Sequence, residues 1–160
     1  MGSNSEINGG RENGSTSGIP IALCGKQPSM AAAFVEGMAP EYDVVHVCHN
    51  APIALSELPA LFNGEFPCPA SGKGSNFNNA DPRVPKAIFV GGGFTQYELN
   101  QIRKNEDICS VPMIFPDPQT RPTGNVPPPM DRIVARVKAR LGELRIGKDD
   151  TDTLAKLYDL

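Results

Sequence analysis

Little in this chain commits it to a metal, a membrane or a nucleic acid. Its four cysteines, Cys24, Cys48, Cys68 and Cys109, never stand at C-x-x-C spacing, which excludes a zinc ribbon and a dithiol redox motif. His46 and His49 are the only histidines, and with the cysteines so scattered no metal is expected. The net charge of −3 is too mild to attract nucleic acid or an anionic membrane surface. No apolar run approaches the roughly 20 residues of a membrane span. No apolar h-region occurs before residue 19, and Glu6 breaks a myristoylation start. Neither G-x-G-x-x-G nor G-x-x-x-x-G-K-[ST] is present. What remains is a cytoplasmic protein whose expected partner is a small molecule.

Against these absences stand two short apolar runs that each end in glycine: Ile19–Gly25 and Ala87–Gly93. A buried strand running into a glycine turn and then a helix builds ligand sites at the carboxyl edge of parallel sheets. Around them the pattern alternates. Strands are expected at Ile19–Cys24, Asp43–Cys48, Lys86–Val90 and Val111–Phe115. Helices are expected at Ser29–Met38, Ala51–Phe62, Thr95–Asn105 and Met130–Leu144. Pro59 should break the second helix or split it in two. Thr95-Gln96-Tyr97-Glu98 is a capping box. Asn63–Pro85 and Pro116–Pro129 read as long loops, the second as a lid over the site.

Three segments follow. Beyond Met1, residues 1–18 hold one apolar side chain, Ile7, and read as a disordered tail. Residues 19–147 form the α/β domain. Residues 148–160, with Leu154, Leu157 and Leu160, read as a short last helix or amphipathic tail. The domain is a three-layer Rossmann-like or flavodoxin-like sandwich of about four parallel strands in order 2-1-3-4. That order leaves the apolar fourth strand at an edge, which predicts a homodimer covering it.

Turns that follow strands converge on one edge of such a sheet. They bring together Gly25, Lys26 and Gln27, then His49 and Asn50, then Gly91, Gly92, Gly93, Phe94, Thr95 and Tyr97, then Asp117 and Arg121. The glycines would let backbone N–H groups approach an anion at a helix start. A nucleotide or another anionic ligand fits that reading, and no specific cofactor is assigned. His49 and Asp117 are the candidate catalytic pair, His49 because imidazole exchanges protons near neutral pH. His46, inside a strand, is expected to satisfy a core hydrogen bond, and the cysteines to be small buried hydrophobes.

Known βα families are excluded by particular residues. Receiver domains need acids closing the first and third strands, where Leu23-Cys24-Gly25 and Val90-Gly91-Gly92 stand. Flavodoxins need a hydroxyl-rich first loop, and Gly25-Lys26-Gln27-Pro28-Ser29 offers one hydroxyl. A tyrosine-phosphatase loop on Cys24 would need Arg where Met30 stands. The stretches I-A-L-C-G-K, A-P-E-Y-D-V-V-H and A-I-F-V-G-G-G-F resemble small stand-alone Rossmann-like proteins of filamentous fungi. The resemblance brings no catalytic residues. The functional expectation is a ligand crevice at the carboxyl edge of strands 1 and 3, serving acid–base chemistry such as an isomerase, lyase or cyclase. The alternative is a non-catalytic interaction module.

Overall fold

A computed structural model describes residues 18–77, 79–91, 93–108, 110–115, 130–144 and 157–159. The elements are β1 (Ile19–Cys24), α1 (Pro28–Met38), β2 (Tyr42–Cys48), α2 (Ala51–Phe62), β3 (Ile88–Val90), α3 (Gln96–Arg103), β4 (Met113–Phe115), α4 (Met130–Glu143) and β5 (Leu157–Asp159). All pairings are parallel, in the order β2-β1-β3-β4-β5. The first four strands thus take the order 2-1-3-4, and the architecture is a Rossmann-like α/β sheet. β1 and β3 lie side by side, so the turns that follow them meet.

Each face of the sheet carries its own core. On one side Ile21, Leu23, Val44, Phe89 and Ile114 pack against Phe34 and Met38 of α1 and against Val134, Val137 and Leu141 of α4. The Phe34 and Phe89 rings stack there, with centroids 4.9 Å apart. α1 crosses α4 at Gly37, where a Cβ would come within 2.8 Å of a Val134 methyl. On the other side Ala22, Cys24, Cys48, Ile88 and Val90 pack against α2 and α3 through Ala54, Leu58, Leu61, Leu99 and Ile102.

β2 carries a local irregularity. Ile21 of β1 pairs with Val44, but Ala22 pairs with His46, so the register shifts by one residue. A one-residue slip reverses which side chains face which layer. His46 and Cys48 consequently face α2, while Val44 and Val47 both face the other core.

Three expectations are corrected. α2 is one 12-residue helix that runs through Pro59. Pro59 lies in its last turns, where the missing N–H costs one bond near an end that frays in any case. The described cysteines divide: Cys24 and Cys48 are buried, Cys68 is exposed, and Cys109 lies outside the described residues. Residues 157–159 form a strand rather than a helix and pair with β4 from Met113 to Phe115. The row of unpaired N–H and C=O groups on β4 accounts for this, because a further strand satisfies it in full.

The opposite edge is covered as well. The amides of Ser75 and Asn76 donate to the Val44 and Val45 carbonyls at 3.1 and 3.0 Å. Ser71 Oγ donates to the Val47 carbonyl at 2.7 Å. Gly74, at φ +106°, lies so close to the Val45 carbonyl that a Cβ could not be accommodated. The premise of an exposed β4 edge behind the homodimer expectation therefore does not hold. Truncation after Gly147 should restore that edge and produce concentration-dependent association by light scattering. A truncated chain that stays monodisperse would show that β4 needs no cover. Among the described residues no helix is long and apolar enough to cross a membrane.

Candidate functional site

Backbone hydrogen bonds draw the β1, β2 and β3 ends together. Gly25 N–H donates to the Cys48 carbonyl at 2.9 Å, and Gly91 N–H donates to the Cys24 carbonyl at 2.7 Å. A Cβ on Gly91 would stand 3.3 Å from that same carbonyl, so glycine permits the close approach of the two turns. Gly25, Gly91 and Gly93 do not use left-handed backbone. The Gly25 and Gly91 amides are spent on these contacts rather than left for an anion.

His49 sits half-buried where β2 ends. Its Nδ1 lies 2.7 Å from the Gly25 carbonyl oxygen. A carbonyl only accepts, so Nδ1 carries the proton and Nε2 of the neutral ring carries a lone pair. The ring is held by the turn that follows β1, and its basic nitrogen is the other one. Asn50 is committed to capping: its side chain accepts from Ile53 N–H at 2.8 Å. Gln27 precedes α1 without a side-chain cap.

The third turn meets the first through Lys26. Its ammonium lies 2.7 Å from Glu98 Oε1 and 5.2 Å from the centroid of the buried Phe94 ring. Gly93 lies against the Lys26 stem. Thr95 forms the capping box with Glu98, each accepting from the other's backbone N–H. The Lys26 hydrogen bond, followed by the Thr95 amide, holds the Glu98 carboxyl below its usual range. An ionised Glu98 thus occupies the helix start that was expected to attract an anion. The pair is exposed, so an incoming ligand could displace it at little cost. Tyr97 projects into solvent, 72% exposed. Gly92, Asp117 and Arg121, and with them the Pro116–Pro129 loop, lie outside the described residues.

The structure thus joins Gly25, Lys26, His49, Gly91, Gly93 and Phe94 in one continuous surface. Glu98 belongs to it although the sequence marks that residue only as a cap. A second grouping lies beneath, between β2 and α2. His46 Nε2 is 2.7 Å from Glu57 Oε1, and Cys48 Sγ donates to the same oxygen at 3.9 Å. Glu57 Oε2 accepts from Ala70 N–H at 2.9 Å, which ties the long loop to the helix. Burial opposes protonation of His46, but its polar neighbours Cys48 and Glu57 outweigh that and raise its pKa. The Cys24 hydrogen bond and burial push the Cys48 thiol far up, so it keeps its proton.

No protein-family model and no solved structure matches the chain. One curated protein is similar, the kojic acid related protein 6 of Aspergillus oryzae, at 36% identity over 141 residues. The match covers 84% of this chain and 84% of the relative, so it is not a likeness in a single motif. The chain belongs to the fungal family of this kojic acid related protein.

Proposed function

We propose that the chain binds a small polar organic ligand over the carboxyl ends of β1 and β3, and that His49 Nε2 accepts a proton or hydrogen bond from it. The observation that carries this is the 2.7 Å contact between His49 Nδ1 and the Gly25 carbonyl. It fixes the tautomer and the ring where the strand order reverses, the place where open α/β sheets hold their ligands. Lys26 and Glu98 supply one displaceable charge of each sign, and Phe94 an apolar floor beneath Lys26. Such a set suits hydroxylated or enolic ligands better than a polyphosphate, because Glu98 would repel dense negative charge. If turnover occurs, it is acid–base chemistry of the isomerase, lyase or cyclase type, with His49 as base and Asp117 the candidate partner.

The test is a thermal-shift screen over sugar acids, enolic and hydroxylated heterocycles and nucleotides. Kojic acid belongs in the set because the relative's name contains it. A ligand at 100 times its Kd should stabilise the chain by about 2.7 kcal/mol, a shift of several degrees. His49→Gln should weaken that ligand at least 10-fold while leaving the ligand-free melting temperature within about 2 °C. A ligand that binds His49→Gln as tightly as wild type would sink the role given to His49. A flat screen, together with a stably co-purifying protein partner, would favour the interaction-module reading.

A further inference from the structure

We propose that His46, Cys48 and Glu57 form a buried site for a divalent transition-metal ion, with zinc the ion their donor set favours. The proposal does not depend on the ligand reading of the carboxyl edge. One donor atom from each of the three residues lies within 4.8 Å of the other two. Zinc bonds of about 2.0–2.3 Å place tetrahedral ligand atoms roughly 3.3–3.8 Å apart. The observed 2.7 Å His46–Glu57 contact and 3.9 Å Cys48–Glu57 contact bracket that spacing. Small side-chain rotations, without movement of β2 or α2, would therefore open the space for an ion.

The donor chemistry is a borderline nitrogen, a soft sulfur and a hard oxygen, which zinc accepts together and magnesium or calcium does not. The charge also closes. One thiolate and one carboxylate neutralise a divalent ion, and a neutral imidazole adds none. Electrical neutrality is what makes burial of an ion tolerable in an apolar layer. Cys24 is the partner of Cys48 across the β1–β2 pairing and lies in the same layer, outside the cluster of three.

A separate observation concerns His46 itself. The residue is fully buried, and among the described residues its Nδ1 has no hydrogen-bond partner. A buried imidazole nitrogen without a partner costs free energy and calls for an explanation. The ring thus offers two nitrogens here, Nε2 already shared with Glu57 and Nδ1 unused, and coordination would employ one of them. The remaining Glu57 oxygen is oriented by Ala70 N–H, the kind of outer contact that holds a ligating carboxylate in place. On binding, the Cys48 S–H bond breaks, a metal–sulfur bond forms and the proton passes to solvent. The ion would then brace Cys48, whose carbonyl accepts from Gly25 at 2.9 Å.

Cobalt(II) is the probe, because a thiolate bound to it gives an intense near-ultraviolet charge-transfer band and tetrahedral sites give strong visible bands. Full-length chain is stripped with a chelator and titrated with Co²⁺, then with Zn²⁺. The expected result is a charge-transfer band that saturates at about one equivalent and is abolished by about one equivalent of Zn²⁺. Cys68→Ser, at an exposed thiol, should leave it unchanged. Cys48→Ser should remove it or weaken binding at least 100-fold, and Glu57→Gln should weaken it at least 10-fold. Absence of any band in the wild-type chain overturns the proposal without recourse to a variant. So does a band of wild-type intensity and affinity in Cys48→Ser. Should Cys48→Ser fail to fold, Zn²⁺ should still slow alkylation of wild-type Cys48 in mild urea without slowing that of Cys68. Equal alkylation of Cys48 with and without Zn²⁺ also overturns the proposal.

Discussion

Replacing Glu57 by alanine is expected to cost the metal-free chain about 2–5 kcal/mol, measured by urea unfolding at neutral pH. Three donors lose their acceptor at once, two of them buried, the His46 ring and the Cys48 thiol, and one, Ala70 N–H, only partly so. The His46 ring is 2.7 Å from one carboxylate oxygen and Ala70 N–H is 2.9 Å from the other. Each buried polar group left unsatisfied costs about 1–3 kcal/mol. Single domains have roughly 5–15 kcal/mol in total, so the variant would stand near the edge of folding. Glu57→Gln keeps one acceptor oxygen and should recover about half of the loss. The long loop should respond too, with earlier proteolysis near Ala70 in Glu57→Ala than in Glu57→Gln. If Glu57→Ala unfolds within about 0.5 kcal/mol of wild type, the buried pair holds nothing in place.

Phe34→Ala on the opposite layer is expected to cost about 3–5 kcal/mol, the usual range for deleting a buried ring. The ring is 1% exposed and lies flat on Phe89, at an interplanar angle of 11°. Its neighbours come from both α1 and the sheet, and α1 is held close against α4 at Gly37. That contact leaves little freedom to collapse into the vacated space, which places the cost toward the upper end. Phe34→Leu should cost about 1–1.5 kcal/mol. A loss below about 1 kcal/mol for Phe34→Ala would mean that α1 is only loosely docked.

The sheet order was legible because β1 and β3 are apolar at every position and each runs into a glycine turn. Right-handed crossovers then restrict the order of the first four strands. α4 was legible from its spacing, since Val134, Val137 and Leu141 are its buried residues. β5 was not, because Leu154, Leu157 and Leu160 fit a helical spacing, while Leu157–Asp159 pairs with a strand edge that no local pattern reveals. In the site, His49 and the glycine turns could be placed from the order of elements alone. The His46–Cys48–Glu57 grouping could not. Ordinary alternation would put His46 on the same face as Val44, and the register shift within β2 reverses that. One sign was available: Glu57 is the single charge on the buried stripe of α2, among Ala51, Ala54, Leu58 and Leu61. A carboxylate on such a stripe needs a partner, and the neighbouring strand holds a histidine, His46.

Among the described residues the two buried thiols lie on one layer only, the one formed by α2 and α3. This gives the protein a built-in clock for partial opening. A thiol reagent reaches Cys24 and Cys48 only when that layer lifts from the sheet, while exposed Cys68 reacts at once and sets the zero of time. The layer of α1 and α4 holds no buried cysteine among the described residues, so its detachment alone would go unrecorded. Labelling rates well above those of global unfolding would mean that the layers separate independently. Rates that match global unfolding would mean that they part together.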